Sequence, residues 1–342
     1  MKTIFSEKHK LRNSATELYG GQLVEPFERP SRAEYIVSRI REVSLGPVLD
    51  PHDHGMEALY KTHDKDYLDF MQLAWKMWQA EKFAGEAIPT TWPARRMRQR
   101  VPDFIEGKLG YYAMAAETSI SEGTWEAAYW SAQVALTGAV EVQAGEEGVF
   151  ALCRPPGHHS ALDMYGGYCF LNNAAIAAQS FLDNGASRVA IVDVDFHHGN
   201  GTQDIFYNRN DVLFVSLHGD PADAFPHFLG YSDERGDGEG VGFNVNYPMK
   251  PGTGFQQWRS ALKDALVKVN DFSPDALVIS LGVDTFENDP ISFFKLKSED
   301  FLTYGSDIAK LKIPTLFVME GGYDIEEIGI NTVNVLQGFS GA

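Results

Sequence analysis

Val189-Ala190-Ile191-Val192-Asp193-Val194-Asp195-Phe196-His197-His198-Gly199-Asn200 is the stretch from which the fold can be read. Its first residues form a short, β-branched apolar run, which predicts a buried strand over 189–193. It then breaks into a loop holding two carboxylates and two imidazoles. The same grammar recurs on both sides. Residues 149–153, 212–217, 276–281 and 314–319 read as further buried strands, and helical spacing covers 172–184, 202–207, 255–269, 298–310 and 325–337. Strands that are apolar throughout and alternate with helices predict an α/β fold, with a parallel sheet covered on both faces. Ligands in such sheets sit beyond the carboxyl ends of the strands, so the residues following each strand carry the functional expectation.

In the loop after 189–193, Asp195 and His197 stand two apart, so an extended segment points both the same way. After 276–281 comes Gly282-Val283-Asp284. An Asp/His pair plus a distant Asp gives three protein ligands and leaves one position open, the arrangement of catalytic zinc. The loop after 149–153 reads Arg154-Pro155-Pro156-Gly157-His158-His159, and that after 314–319 reads Glu320-Gly321-Gly322-Tyr323. Taken singly, these are ordinary things: a hydrogen-bonded loop, a satisfied histidine pair, a turn. Their occurrence together at successive strand ends points to a hydrolytic centre.

These motifs, with Gly166-Gly167-Tyr168-Cys169-Phe170-Leu171-Asn172-Asn173 and the continuation Gly199-Asn200-Gly201-Thr202, resemble the arginase and histone-deacetylase superfamily, and within it the bacterial acetylpolyamine amidohydrolases. The resemblance implies a three-layer αβα fold around a central parallel sheet of about eight strands. It implies one zinc ion per subunit on Asp195, His197 and Asp284, with His158 and His159 as the proton-transfer pair and Tyr323 as donor to the substrate carbonyl. Asp193 would orient His158. Asn200 would orient His159, where many family members carry Asp, and an amide supplies no charge to raise a histidine pKa. Tyr168 and Phe225 would wall a narrow acyl-amine tunnel. Potassium would fall on Asp193, Asp195, His197, Ser216 and Leu217, and a second potassium on carbonyls of Phe206, Arg209, Val212 and Phe243.

The wider composition agrees with an enzyme of this kind. The chain has 342 residues, 44% apolar, which suits one large domain spanning 1–342. Its two cysteines imply no disulfide framework, and no stretch reaches the length of a bilayer span, so a cytoplasmic protein without membrane contact is expected. A formal charge of −18 disfavours nucleic acid and suits a cationic ligand. The glycine cluster at 236–242 fits neither of the nucleotide-binding glycine patterns.

The first half reads as mostly helical, with helices at 31–43, 65–80 and 123–144. Between the last two lies a less periodic insertion, 82–107, containing Trp92-Pro93 and the basic run Arg95-Arg96-Met97-Arg98-Gln99-Arg100. A segment of this length is expected to be functional or an interface, here one that forms a homodimer and narrows the active-site mouth. Glu17 and Tyr19, near where the family's first active-site loop lies, are candidate substrate-tunnel residues, as are Glu106 and Glu117, which could meet the secondary ammonium groups of an acetylated polyamine. Three alternatives remain. A urea-forming hydrolase needs a second metal, whose extra carboxylates are missing because Gly199 and Phe286 stand where they would be. A protein acetyl-lysine deacetylase and a non-catalytic acyl-amine binding module are the others.

Overall fold

The computed structural model describes residues 1–96 and 98–341; Met97, inside the basic run, and Ala342, the last residue of the expected domain, lie outside the described residues. The first half contains β1 (Lys2–Ile4), β2 (Glu17–Tyr19), β3 (Gln22–Val24), α1 (Ser31–Glu42), β4 (Val48–Leu49), α2 (Glu57–Thr62), α3 (Lys65–Ala80), α4 (Ile105–Tyr112) and α5 (Thr124–Gln143). The second half continues with β5 (Gly148–Ala151), α6 (Asn173–Asp183), β6 (Val189–Asp193), α7 (Asn200–Phe206), β7 (Val212–Gly219), β8 (Asn244–Met249), α8 (Phe255–Phe272), β9 (Ala276–Leu281), α9 (Ser298–Ala309), β10 (Thr315–Met319) and α10 (Ile328–Ser340).

Eight strands pair in the order β4-β1-β5-β10-β9-β6-β7-β8, and every pairing is parallel. Alternation along the strands feeds two cores. Phe150, Val192, Ile279 and Phe317 face one side, where α1, α8, α9 and α10 pack. Val149, Ile191, Val278 and Leu316 face the other, under α5 and α6. Burying each such side chain on both faces is worth about 1.5–3 kcal/mol, which is why these strands read as unbroken apolar runs. Helix α8 shows the matching period: Trp258, Leu262, Ala265, Leu266 and Val269 are its buried face. A third cluster, including Tyr67, Phe70, Tyr112, Tyr165 and Phe170, joins α3 and α4 to the loop before α6.

Several elements differ from expectation. Three strands of the sheet, β1, β4 and β8, were not legible. The first two have only three and two residues. Strand β8 is an edge strand carrying Asn244, Asn246 and Pro248, so it lacks the apolar run, and proline is tolerated at an edge. Its buried asparagines donate to Gln203 Oε1 at 2.9 and 2.8 Å instead of packing. Helix α10 begins three residues later than expected, because Asp324 first closes a turn by accepting the Glu327 N–H. The sequence Gly20-Gly21 was also passed over. Both glycines have positive φ, +57° and +79°, and they form the two-residue turn of the β2–β3 hairpin that carries Glu17 and Tyr19.

Strands β5, β10, β9 and β6 lie side by side at the centre. Their carboxyl ends carry the four loops singled out from sequence.

Candidate active site

Asp195, His197 and Asp284 converge where β6 and β9 end, and one ligand atom from each lies within 4.8 Å of the others. His197 Nδ1 is 2.9 Å from Asp284 Oδ2 and 3.3 Å from Asp195 Oδ1. Backbone donors aim both carboxylates: Gly321 N–H to Asp195 Oδ2 at 2.8 Å, and Phe196 N–H to Asp284 Oδ1 at 2.7 Å. Gly282 makes the approach possible, since a Cβ there would stand 2.0 Å from Asp195 Oδ2. Burial and the neighbouring Asp195 push the Asp284 carboxyl up to about 6. Two buried carboxylates and an imidazole nitrogen at this spacing fit a divalent cation of borderline softness, which would neutralise charges that otherwise repel in a water-poor site.

His158 and His159 stack at 4.0 Å between ring centroids. His158 Nδ1 meets Asp193 Oδ2 at 2.9 Å, and His159 Nδ1 meets Asn200 Oδ1 at 2.7 Å. The two rings diverge electrostatically. Burial disfavours charge on His158, but Asp195 and Asp193 outweigh it and raise the ring to about 10. Burial also acts on His159, where the nearby His158 and His197 add to it and hold the ring well below its usual value. His159 is therefore the neutral member, suited to accept a proton. Gly167, at φ +54°, leaves room for it: a Cβ would come within 2.2 Å of His159 Cδ2.

A cavity of about 380 Å³ opens onto these groups, lined among others by His159, His197, Tyr168, Phe225 and Tyr323. Burial pushes the Tyr323 phenol well above its ordinary value, so it remains a donor. The Arg32 guanidinium lies 4.7 Å from the centre of its ring. Tyr168 sits at φ +67°, the left-handed region that non-glycine residues seldom occupy, and donates its hydroxyl to Glu17 Oε1 at 2.6 Å. Of the further expected substrate-tunnel residues, Glu17, Tyr19 and Glu117 line the cavity. Glu106 does not: it is exposed on the first turn of α4, whose Ile105, Leu109 and Tyr112 pack inward and turn it away from the cavity.

The residues named for potassium fall in two places. Asp193 and Ser216 are register partners on β6 and β7, with Leu217 next along, and Ser216 Oγ is 2.8 Å from His218 Nδ1. Phe206, Arg209, Val212 and Phe243 gather where α7 ends and β7 begins; the Phe206 carbonyl accepts from Arg209 N–H at 3.0 Å and that of Phe243 from Phe214 N–H at 2.9 Å.

Sequence reasoning passed over several cavity residues, Asp223, His227, Ile291 and Phe293 among them, which sit on irregular loops without periodicity. It also left Glu28 and Arg32 unassigned. Glu28 is buried between Arg154 Nε at 2.8 Å and Arg32 Nη1 at 2.9 Å. Arg32 stands only four residues beyond Glu28, but Arg154 lies 126 residues away, and that distant partner leaves no local signature. Glu320, quoted only as part of a motif, accepts the N–H groups of Gly157 and His158. With His158 and Cys169 it forms a second group of ligand atoms within 4.8 Å of one another. One of its oxygens is already taken by those amides, and burial pushes the Cys169 thiol well up, so this group reads as hydrogen-bonded scaffold.

The chain is 58% identical over 341 residues to the acetylpolyamine amidohydrolase of Mycoplana ramosa, covering 100% of both chains. It is 56% identical to acetylpolyamine amidohydrolase 1 of Pseudomonas aeruginosa, covering 100% of this chain and 99% of the relative. The crystal structure of the acetylpolyamine aminohydrolase from Burkholderia pseudomallei superposes with a TM-score of 0.94 at 40% identity, over 99% of this chain and 98% of that one. The family model described as the histone deacetylase domain matches residues 26–339, which includes the four loops after β5, β6, β9 and β10 but not the β2–β3 hairpin, and the chain thus belongs to the histone deacetylase domain family.

Proposed function

We propose that the protein is a zinc-dependent amidohydrolase that releases acetate and free polyamine from acetylated polyamines. The observation that carries the reading is one cavity that opens onto His197 of the Asp195-His197-Asp284 donor set and is lined by a neutral His159, the Tyr323 phenol, Glu17 and Glu117. Full-length identity to relatives named for acetylpolyamines supports the substrate. Asp195, His197 and Asp284 would hold the zinc, which when bound would supply Lewis-acid chemistry for the amide carbonyl and the attacking water. His159 takes the proton of the attacking water and returns it to the leaving amine. His158, hydrogen-bonded to Asp193, steadies the negative charge that develops, and Tyr323 donates its O–H to the oxyanion. Tyr168 and Phe225 flank the acyl-bearing chain. Potassium at the two oxygen-rich places named above would brace the loops after β6 and around α7.

We further assign the 82–107 segment to a homodimer interface that narrows the mouth. Described residues 90–96 and 98–101 are all exposed, Trp92 keeps its Nε1–H on Ala113 O at 2.9 Å, and Arg95 stacks 5.8 Å from the centre of the Phe228 ring, itself 75% exposed. An apolar and basic rim of this kind suits an acidic second copy.

Metal analysis of the purified protein, followed by acetate release from a panel of acetylpolyamines and acetyl-lysine peptides, tests the function. One zinc per chain and a higher kcat/KM for the acetylpolyamines are expected. A preference for acetylated peptides would make it a protein deacetylase instead, a reading the family match also allows.

A further inference from the structure

The acid–base pair and the phenol of the site lie on different loops, 154–159 after β5 and 320–323 after β10. The ladder between these strands ends at Val318↔Ala151, short of both loops. Among the described residues, no backbone–backbone hydrogen bond joins 154–159 to 320–323. Among the described residues, the hydrogen bonds that join the two loops directly are those of the Glu320 side chain. Glu320 is 0% exposed, and its Oε2 accepts the N–H of Gly157 at 2.7 Å and that of His158 at 3.1 Å. Its main chain is held in turn: Arg32 donates to Glu320 O at 2.7 Å and to Gly322 O at 2.6 Å, while covering the Tyr323 ring.

We infer that Glu320 is a positioning residue for the reaction proposed above: through the amides of Gly157 and His158 it sets the place of the His158-His159 pair relative to Tyr323. Both must address one substrate carbonyl, His159 at the attacking water and Tyr323 at the oxygen, so an error in their spacing is an error in the transition state and not in binding. What the amides need is an acceptor oxygen at that reach. Oε1 has no partner, so the second oxygen adds nothing to the bridge, and an amide at this position would serve as well as an acid.

Glu320→Gln keeps the acceptor and its reach. Glu320→Asp keeps the acid but withdraws the oxygen by one carbon–carbon bond, and Glu320→Ala removes it. With metal content unchanged, kcat on an acetylated polyamine is expected to fall about 100-fold for the Asp and Ala variants, as a misplacement near 1 Å does, with KM within about threefold and the Gln variant close to wild type. Wild-type kcat in Glu320→Asp overturns the proposal, as does a Gln variant as impaired as Ala, or a loss confined to KM. If Ala does not fold, the Asp–Gln pair decides. Inactivity of the wild type on every acetylpolyamine would sink the substrate reading alone. The positioning is then read from the imidazole ¹⁵N resonances of His158 and His159, which Asp must shift and Gln must leave in place; unshifted resonances in both refute it.

Discussion

In the proposed mechanism, Asn200 decides how strong a base His159 is. Its Oδ1 accepts the Nδ1–H of His159 at 2.7 Å but brings no charge, so burial and the neighbouring His158 and His197 hold the ring neutral. Asn200→Asp would place a carboxylate there and raise the His159 pKa. The base works unprotonated, so a raised pKa means that its active form is lost at a higher pH on acidification. The acid limb of kcat/KM against pH is therefore expected to move to higher pH in this variant, and an unmoved limb would remove His159 as the base. Tyr323→Phe keeps the ring that Arg32 covers and deletes only the donor. With zinc content intact, kcat should drop about 10²–10³-fold, the usual effect of losing one oxyanion donor; a loss under tenfold, measured at saturating substrate, would exclude Tyr323 from that role.

Between elements, His63 is the joint that ties the start of α3 to α6. Its Nδ1–H donates to Ala161 O at 2.8 Å, and its Nε2 accepts the N–H of Asn172, the residue whose side chain caps α6. Burial lowers this ring from 6.5 to about 4, so it is neutral in the fold. The sign follows: above pH 6.5 neither folded nor unfolded chain takes the proton, and below it the unfolded chain takes it first. Stability is then lost as pH falls from 6.5 towards 4, at up to about 1.4 kcal/mol per pH unit. Urea unfolding at pH 7 and pH 5 should show wild type losing about 1–2 kcal/mol more than His63→Gln over that interval. Equal losses would mean that this joint does not titrate. The 82–107 segment is a second case where the element matters. Ala87 bridges to Ile120 and Ile105 is core, so only its exposed middle is separable. Replacing residues 94–101 with a short Gly/Ser linker should yield a zinc-binding monomer with less preference for slender acetylpolyamines over acetyl-lysine peptides. Light scattering that shows the same oligomer, alongside unchanged selectivity, would leave the segment as an ordinary surface loop.

Over the whole molecule, the chain carries a formal charge of −18, and the lining of the cavity includes Glu17, Glu117 and Asp223. Such a field steers cations toward the mouth, and salt screens it over about 8–10 Å. For acetylpolyamines kcat/KM should fall as ionic strength rises, whereas a neutral acetyl-amide should respond little. Identical salt responses for the two substrates would reduce the charge to a matter of solubility.

The sequence by itself determined what local chemistry can determine. Strands buried on both faces, such as 189–193 and 276–281, announce themselves because nearly all their side chains are apolar, Asp193 and Ser280 being the exceptions near their carboxyl ends. The loops that follow announce themselves because metal ligands and acid–base groups are confined to a few residue types. Partnership was left to the tertiary structure. The edge strand β8 turns its asparagine amide N–H groups to Gln203, and Glu106 points away because of what the rest of α4 buries. Strand order sets β10 between β5 and β9, which brings Glu320 to the His158 amide and Gly321 to Asp195. Those contacts span 162 and 126 residues of chain, and only closure of the sheet selects which distant groups meet.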